Sequence, residues 1–238
     1  MLAAACGGPR YQSTRGARLA HFTLHSRLTH RDLHEVLVVP KQHGHVLLVL
    51  LHGKGGTPSQ FLSQPFFDTL AALGRRAPDV LLLDGGDDSY WHDRADGRWG
   101  SMVLQEAIPA GLSRSAAQEV AIGGISMGGY GALLLGSGRP ARFCAVGVQS
   151  PALWTSAGAT APGAFDDAQD YARNDVFKLR PPNMLWIDLG ASDPFHDAAL
   201  AYAHRAGVTA HVWPGGHDVA FWDAHTPALL RFFARACA

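Results

Sequence analysis

Ser126 stands in Gly124-Ile125-Ser126-Met127-Gly128, where an apolar run gives way to the small-residue segment GGYGAL. A G-x-S-x-G turn between a strand and a helix can hold a serine hydroxyl clear of its surroundings as a nucleophile. The same glycines would also suit a close-packed strand-to-helix turn with an incidental serine, so the spacing alone leaves two readings. A serine hydroxyl needs a general base, and the base needs an acid to orient it. Asp193, just past the apolar run LWIDLG, and His217, just past AHVWP, follow Ser126 in that order. Asp188, Asp197 and Asp218 are the rival acids, and His211 and His225 the rival bases.

Attack on a carbonyl also needs two N–H donors for the developing oxyanion. The residue after the nucleophile, Met127, supplies one. The turn His52-Gly53-Lys54-Gly55-Gly56 follows an apolar run and supplies the other, from Lys54 or, as its rival, Gly55. His52 reads as structural. Tyr90, Trp91, Trp154, Phe195 and Phe221 are candidates to line an acyl or alcohol pocket, although loop packing suits each of them as well. The acidic run DGGDDSYWHDRAD, with Asp84, Asp87, Asp88, Asp93 and Asp96, lacks the spacing of a calcium loop and reads as a solvated loop. The pairs His21/His25 and His30/His34 have i,i+4 spacing, but their segment reads as strand and turn, so no metal site and no cofactor is expected.

These residues must be positioned by the elements between them. The segments 34–40, 45–53, 79–86, 119–126, 143–151, 183–193 and 209–217, each built on an apolar run, read as strands. Helical spacing is found at 59–76, 100–112, from 127, from 197 and over 222–236. Such alternation predicts one α/β domain with a mostly parallel sheet between helices and an antiparallel addition before Pro40. In a sheet of that kind Asp193, His217 and Ser126 all fall at carboxyl ends of strands, where ligand sites collect. The Gly/Ala/Pro-rich stretch 151–182 is left as a short cap. The catalytic domain is expected over 21–238, behind an N-terminal tail at 1–20.

The chain of 238 residues is 47 % hydrophobic and 17 % charged, with 20 basic and 20 acidic side chains. Zero net charge gives no general field for nucleic acid, and no segment is apolar enough to span a membrane. Cys6, Cys144 and Cys237 form no C-x-x-C pair. Cys144 reads as a small buried hydrophobe, and a bridge from Cys237 to either of the others is left open. MLAAACGG is either a frayed terminus of a cytoplasmic chain or the end of an export signal with Cys6 as the lipidated residue, if translation starts upstream.

Taken together, LLHGKGG, GGISMGGYGAL, GASDPF and PGGHDVAFW resemble the putative-esterase family of α/β-hydrolases, which includes esterase D-type enzymes, feruloyl esterases and mycolyltransferases. The segment DDSYWHDRADGRWGSMVLQEAIPAGL is similar to that family as well. The resemblance runs from about His45 to Trp222. It implies an α/β-hydrolase fold and metal-free carboxylic-ester hydrolysis through an acyl-serine. Ser126, Asp193 and His217 would form the triad, with Lys54 and Met127 at the oxyanion. S-formylglutathione hydrolases of the family carry His where Ile125 and Tyr130 stand, which argues against a glutathione thioester. The short cap favours a small or medium ester. Acyl transfer to an alcohol or sugar is the alternative within catalysis. A binding protein on a hydrolase fold is the alternative outside it.

Overall fold

The apolar runs expected as strands form the centre of one eight-stranded sheet in the computed structural model, which describes residues 10–139 and 141–237. The lipoprotein-like reading of MLAAACGG, with Cys6, lies outside the described residues. In chain order the strands are β1 (Arg18–Ser26), β2 (Arg31–Val39), β3 (Val46–Leu51), β4 (Asp79–Leu83), the small ladder β5 (Asp93–Arg94) and β6 (Gly97–Arg98), then β7 (Glu119–Ile125), β8 (Val146–Gln149), β9 (Leu185–Gly190) and β10 (His211–Trp213). The sheet order is β1-β2-β4-β3-β7-β8-β9-β10, parallel from β4 to β10 and antiparallel at β1 and β2. Strand β1 begins inside the segment expected as tail. Ahead of it, Tyr11 packs on Phe67 with ring centroids 4.7 Å apart, so the folded unit reaches back to the first described residues.

The central strands are buried on both faces, which explains their nearly unbroken apolar sequence. Along β3, Leu47, Val49 and Leu51 face one layer, and Val46, Leu48 and Leu50 the other. One layer contains the irregular helix of α2 (Trp99–Met102), a π turn (Val103–Ala107) and α3 (Ile108–Leu112), together with α4 (Met127–Gly138) and α6 (His196–Ala206). The other contains α1 (Gln64–Leu73) and α7 (Val219–Ala236). Between β8 and β9 lies the cap, whose only α-helix among the described residues is α5 (Ala168–Arg173). No helix among the described residues is long and apolar enough to cross a membrane.

Two local expectations change. The helix expected over 59–76 breaks before Gln64, because the Ser63 side chain accepts the Phe66 N–H and starts α1 afresh. Cys144 is not a free buried thiol. It forms a disulfide with Cys237 across 93 residues, joining the approach to β8 to the end of α7.

The chain turns back at β3: β4 lies on one side of it and β7 on the other. Open α/β sheets bind ligands at the carboxyl ends of the strands beside such a switch point. The turn after β3 carries Lys54, and the turn after β7 carries Ser126.

One buried acid makes stability depend on pH. Glu35 on β2 is 1 % exposed, and its Oε2 accepts the Asp84 N–H at 2.8 Å while Oε1 has no partner. Burial, with the Asp84 charge adding to it, pushes the carboxyl from 4.5 to about 8 against the backbone hydrogen bond. Between those values the folded chain holds a proton that the unfolded chain has lost, so stability falls as pH rises through that window. At about 1.4 kcal/mol per unit, the loss across the window is on the order of 5 kcal/mol. Glu35→Gln keeps an acceptor for Asp84 and removes the ionisation. Thermal melts should therefore show the variant ahead of the wild type at pH 8 and level with it at pH 5. Parallel pH profiles would count against this account of Glu35.

Candidate active site

Ser126 occupies the single residue between β7 and α4, at φ 55° and ψ −114°. Positive φ is costly for a residue with a Cβ and is held only where the surroundings over-determine it. Here they do. The Ser126 N–H donates to the Gln149 carbonyl at 3.0 Å, and its carbonyl accepts the N–H groups of Tyr130 and Ala152, both at 3.0 Å. Two glycines make the turn sterically feasible. A Cβ on Gly124 would lie 2.3 Å from the Gly128 carbonyl oxygen, and one on Gly128 would lie 1.8 Å from the Leu51 carbonyl oxygen.

Asp193 and His217, in the turns after β9 and β10, meet Ser126 at this edge. His217 Nε2 is 2.8 Å from Ser126 Oγ, and His217 Nδ1 is 2.9 Å from Asp193 Oδ2. The other oxygen of Asp193 accepts the Phe195 N–H at 2.8 Å. Burial pushes the Asp193 carboxyl up, but the hydrogen bonds from His217 and Phe195 outweigh it and hold it below the usual range. A carboxylate fixed in this way keeps the proton on Nδ1 and leaves Nε2 to accept from the serine hydroxyl.

The rival residues are occupied elsewhere. Asp188 is fully buried between Gln149 and the Trp186 N–H, and burial raises it to about 7. Asp197 lies 2.9 Å from His196 Nδ1. Asp218 caps α7 by accepting the Phe221 N–H at 2.9 Å. His211 and His225 stack on Trp186 and Trp213 respectively.

The two candidates for the second oxyanion donor are separated by one hydrogen bond. The Gly55 N–H donates to the Asp87 carbonyl at 2.7 Å, so it is already engaged, whereas no partner for the Lys54 or Met127 N–H occurs among the described residues. His52 is buried beneath the turn. Its Nε2 accepts the Gly85 N–H at 3.0 Å and its Nδ1 donates to the Gly53 carbonyl at 2.8 Å. Burial lowers its pKa, in keeping with a neutral structural imidazole.

The aromatic candidates divide. Trp91 is fully buried, its N–H donates to the His52 carbonyl at 3.1 Å, and its ring lies over Gly85. Phe221 is 4 % exposed and packs beneath Gly215 and against His225. Both are core residues behind the site rather than pocket walls, a correction that follows from their burial. Tyr90, 4 % exposed, is buried in the same way and backs Trp154 with ring centroids 5.6 Å apart, whereas Phe195 and Trp154 are half-buried, Phe195 5.3 Å from the His217 ring and Trp154 5.5 Å from Phe195. Phe165 of the cap joins them, 6.0 Å from Trp154. Its Gly/Ala/Pro-rich surroundings have no periodicity that singles it out in the sequence.

The acidic loop is not simply solvated. Ser89, Tyr90, Trp91 and His92 are buried, and the loop anchors the cap. Arg94 donates to the carbonyls of Asp88 and Gly163 and to Asp166, and His92 Nε2 lies 2.9 Å from Asp170 Oδ2. The Lys54 ammonium reaches the Pro162 carbonyl at 3.3 Å. His21 and His25 lie along strand β1, and His34 on β2, so the i,i+4 spacing is an extended one; His25 pairs with Asp32 at 2.7 Å.

The fold recurs among solved structures. A ferulic acid esterase superposes with a TM-score of 0.76 at 21 % identity, over 92 % of this chain and 98 % of that one. An S-formylglutathione hydrolase from Agrobacterium tumefaciens superposes at 0.72 with 17 % identity, over 95 % and 98 %. A ferulic acid esterase from Anaeromyces mucronatus, solved with ferulic acid, superposes at 0.68 with 16 % identity, over 98 % and 97 %. At these identities the likeness is one of fold. No curated protein sequence matches the chain. The profile of the family described as "Putative esterase" matches residues 40–236, most of the chain and every element of the site described above, and the protein belongs to that esterase family.

Proposed function

We propose that this esterase acts through Ser126, His217 and Asp193 by way of an acyl-enzyme. The observation that carries the reading is the continuous hydrogen-bonded line from Ser126 Oγ through His217 to Asp193, ending on a serine at positive φ. His217 Nε2 takes the hydroxyl proton as Oγ attacks the ester carbonyl. The N–H groups of Lys54 and Met127 receive the developing oxyanion, at the point where charge appears in the transition state. His217 then delivers its proton to the leaving alcohol. It next takes a proton from water as that water attacks the acyl carbonyl, and returns it to Ser126 Oγ as the acyl–oxygen bond breaks and the acid is released. Asp193 holds the imidazole in the working tautomer and stabilises its charged form. The half-buried aromatic rings of Phe195, Trp154 and Phe165 supply an apolar wall for a small acyl or alcohol group.

Two-step chemistry predicts a burst. With p-nitrophenyl esters of increasing acyl length, pre-steady-state p-nitrophenol should appear in a phase equal to the enzyme concentration wherever deacylation is slower. A fluorophosphonate should add one mass equivalent, located on Ser126 by peptide mapping. Turnover with no burst at any chain length, together with label on another residue, would refute the assignment. Ester formed in quantity with an added alcohol would place the protein among acyl transferases.

A further inference from the structure

His217 is held by more than its two hydrogen bonds. Its imidazole centroid is 5.3 Å from the Phe195 ring at 61°, and 5.2 Å from the Trp222 ring at 85°. Phe195 and Trp222 make no ring contact with each other, so they meet the imidazole from different directions. Trp222 is 8 % exposed and sits in the first turn of α7, whose Asp218 cap immediately follows His217. The Trp222 carbonyl accepts the Thr226 hydroxyl at 2.8 Å, while the indole N–H has no partner. Hydrogen bonding therefore does not account for the placement of the indole at this point; it packs in the apolar layer of α1 and α7 and presents its ring to His217. Phe195 acts twice: its N–H holds Asp193 Oδ1 and its ring meets the base that Asp193 orients.

We propose that Phe195 and Trp222 are positioning residues that clamp the His217 imidazole, with Phe195 doing so in addition to lining the pocket. This rests on His217 being the general base. A ring bonded at both nitrogens can still tilt about its Cβ–Cγ bond when the Ser126 bond is given up during acyl transfer. Two aromatic walls restrict that tilt, and Nε2 stays aimed at the leaving group and then at water. A misplacement of about 1 Å at a catalytic group can cost on the order of 100-fold in rate.

The test uses Trp222→Phe, Trp222→Leu and Phe195→Leu in the full chain. Trp222→Phe keeps an aromatic ring without the orphan N–H and should keep kcat within about 3-fold. Trp222→Leu should lower kcat by about 10- to 100-fold with KM nearly unchanged, as expected for lost positioning rather than lost binding. The downfield proton resonance of His217 Nδ1–H should stay sharp in the wild type and Trp222→Phe, and broaden in Trp222→Leu. Phe195 is half-buried, so Phe195→Leu tests the other ring contact even if Trp222→Leu fails to fold. Its kcat should fall and the same resonance broaden, with any added change in KM reporting its pocket role. If both Leu variants keep kcat and the sharp resonance while Ser126 takes the phosphonate, the clamp is wrong and the triad stands. If Ser126 is not labelled, the triad itself is wrong.

Discussion

Ser126→Ala is expected to reduce kcat for ester hydrolysis by about 10⁵- to 10⁶-fold, the scale on which removing a serine nucleophile acts in hydrolases of this chemistry. The loss is this large because no other described nucleophile shares the hydrogen bond to His217 Nε2. A residual rate above that in water should remain, since oxyanion donors and substrate binding act without the nucleophile. Alanine keeps the strained backbone, so its melting temperature should stay near that of the wild type. Ser126→Gly is the informative companion. Glycine adopts φ 55° without the Cβ penalty, so this variant should be inactive and yet more stable by about 1 kcal/mol. Steady-state assays and thermal melts of the two variants check both halves. Activity retained in either variant would return Ser126 to the role of a packing residue.

Gly128→Ala is expected to cost more than about 4 kcal/mol or to prevent folding, a size reserved for a few named mechanisms. The mechanism here is backbone overlap. The added Cβ would stand 1.8 Å from the Leu51 carbonyl oxygen and 2.4 Å from its carbon, and neither is a side chain that can turn away. Relief would require α4 to lift from β3, moving the Ser126 turn at its N-terminus away from the Lys54 turn that follows β3. Gly138→Ala is the control on the same helix. A Cβ there meets nothing within 4 Å, and alanine restricts the unfolded chain, so stability should rise by about 0.5–1 kcal/mol. Urea unfolding of both variants gives the comparison. A Gly128→Ala protein within about 1 kcal/mol of the wild type would mean that this contact yields readily.

Residue order alone carries the strand–helix alternation, the parallel sheet, the esterase family and the succession Ser126, Asp193, His217 along the strand ends. These were legible because their causes are local. A buried parallel strand is an unbroken apolar run, and a strand-to-helix turn around a strained serine demands glycines two residues to either side. Which donors and rings are free depends on contacts between residues far apart in the chain. The Gly55 N–H is engaged by the carbonyl of Asp87, thirty-two residues on. Trp91 and Phe221 leave the pocket because the glycines that admit their rings, Gly85 and Gly215, lie in turns whose spacing carries no sign of what packs on them. Cys144 finds Cys237 only once α7 has folded back across the sheet. Trp222 reaches His217 because the Asp218 cap starts α7 one residue after the histidine and turns the indole back onto it, a contact set by three-dimensional geometry rather than by residue type.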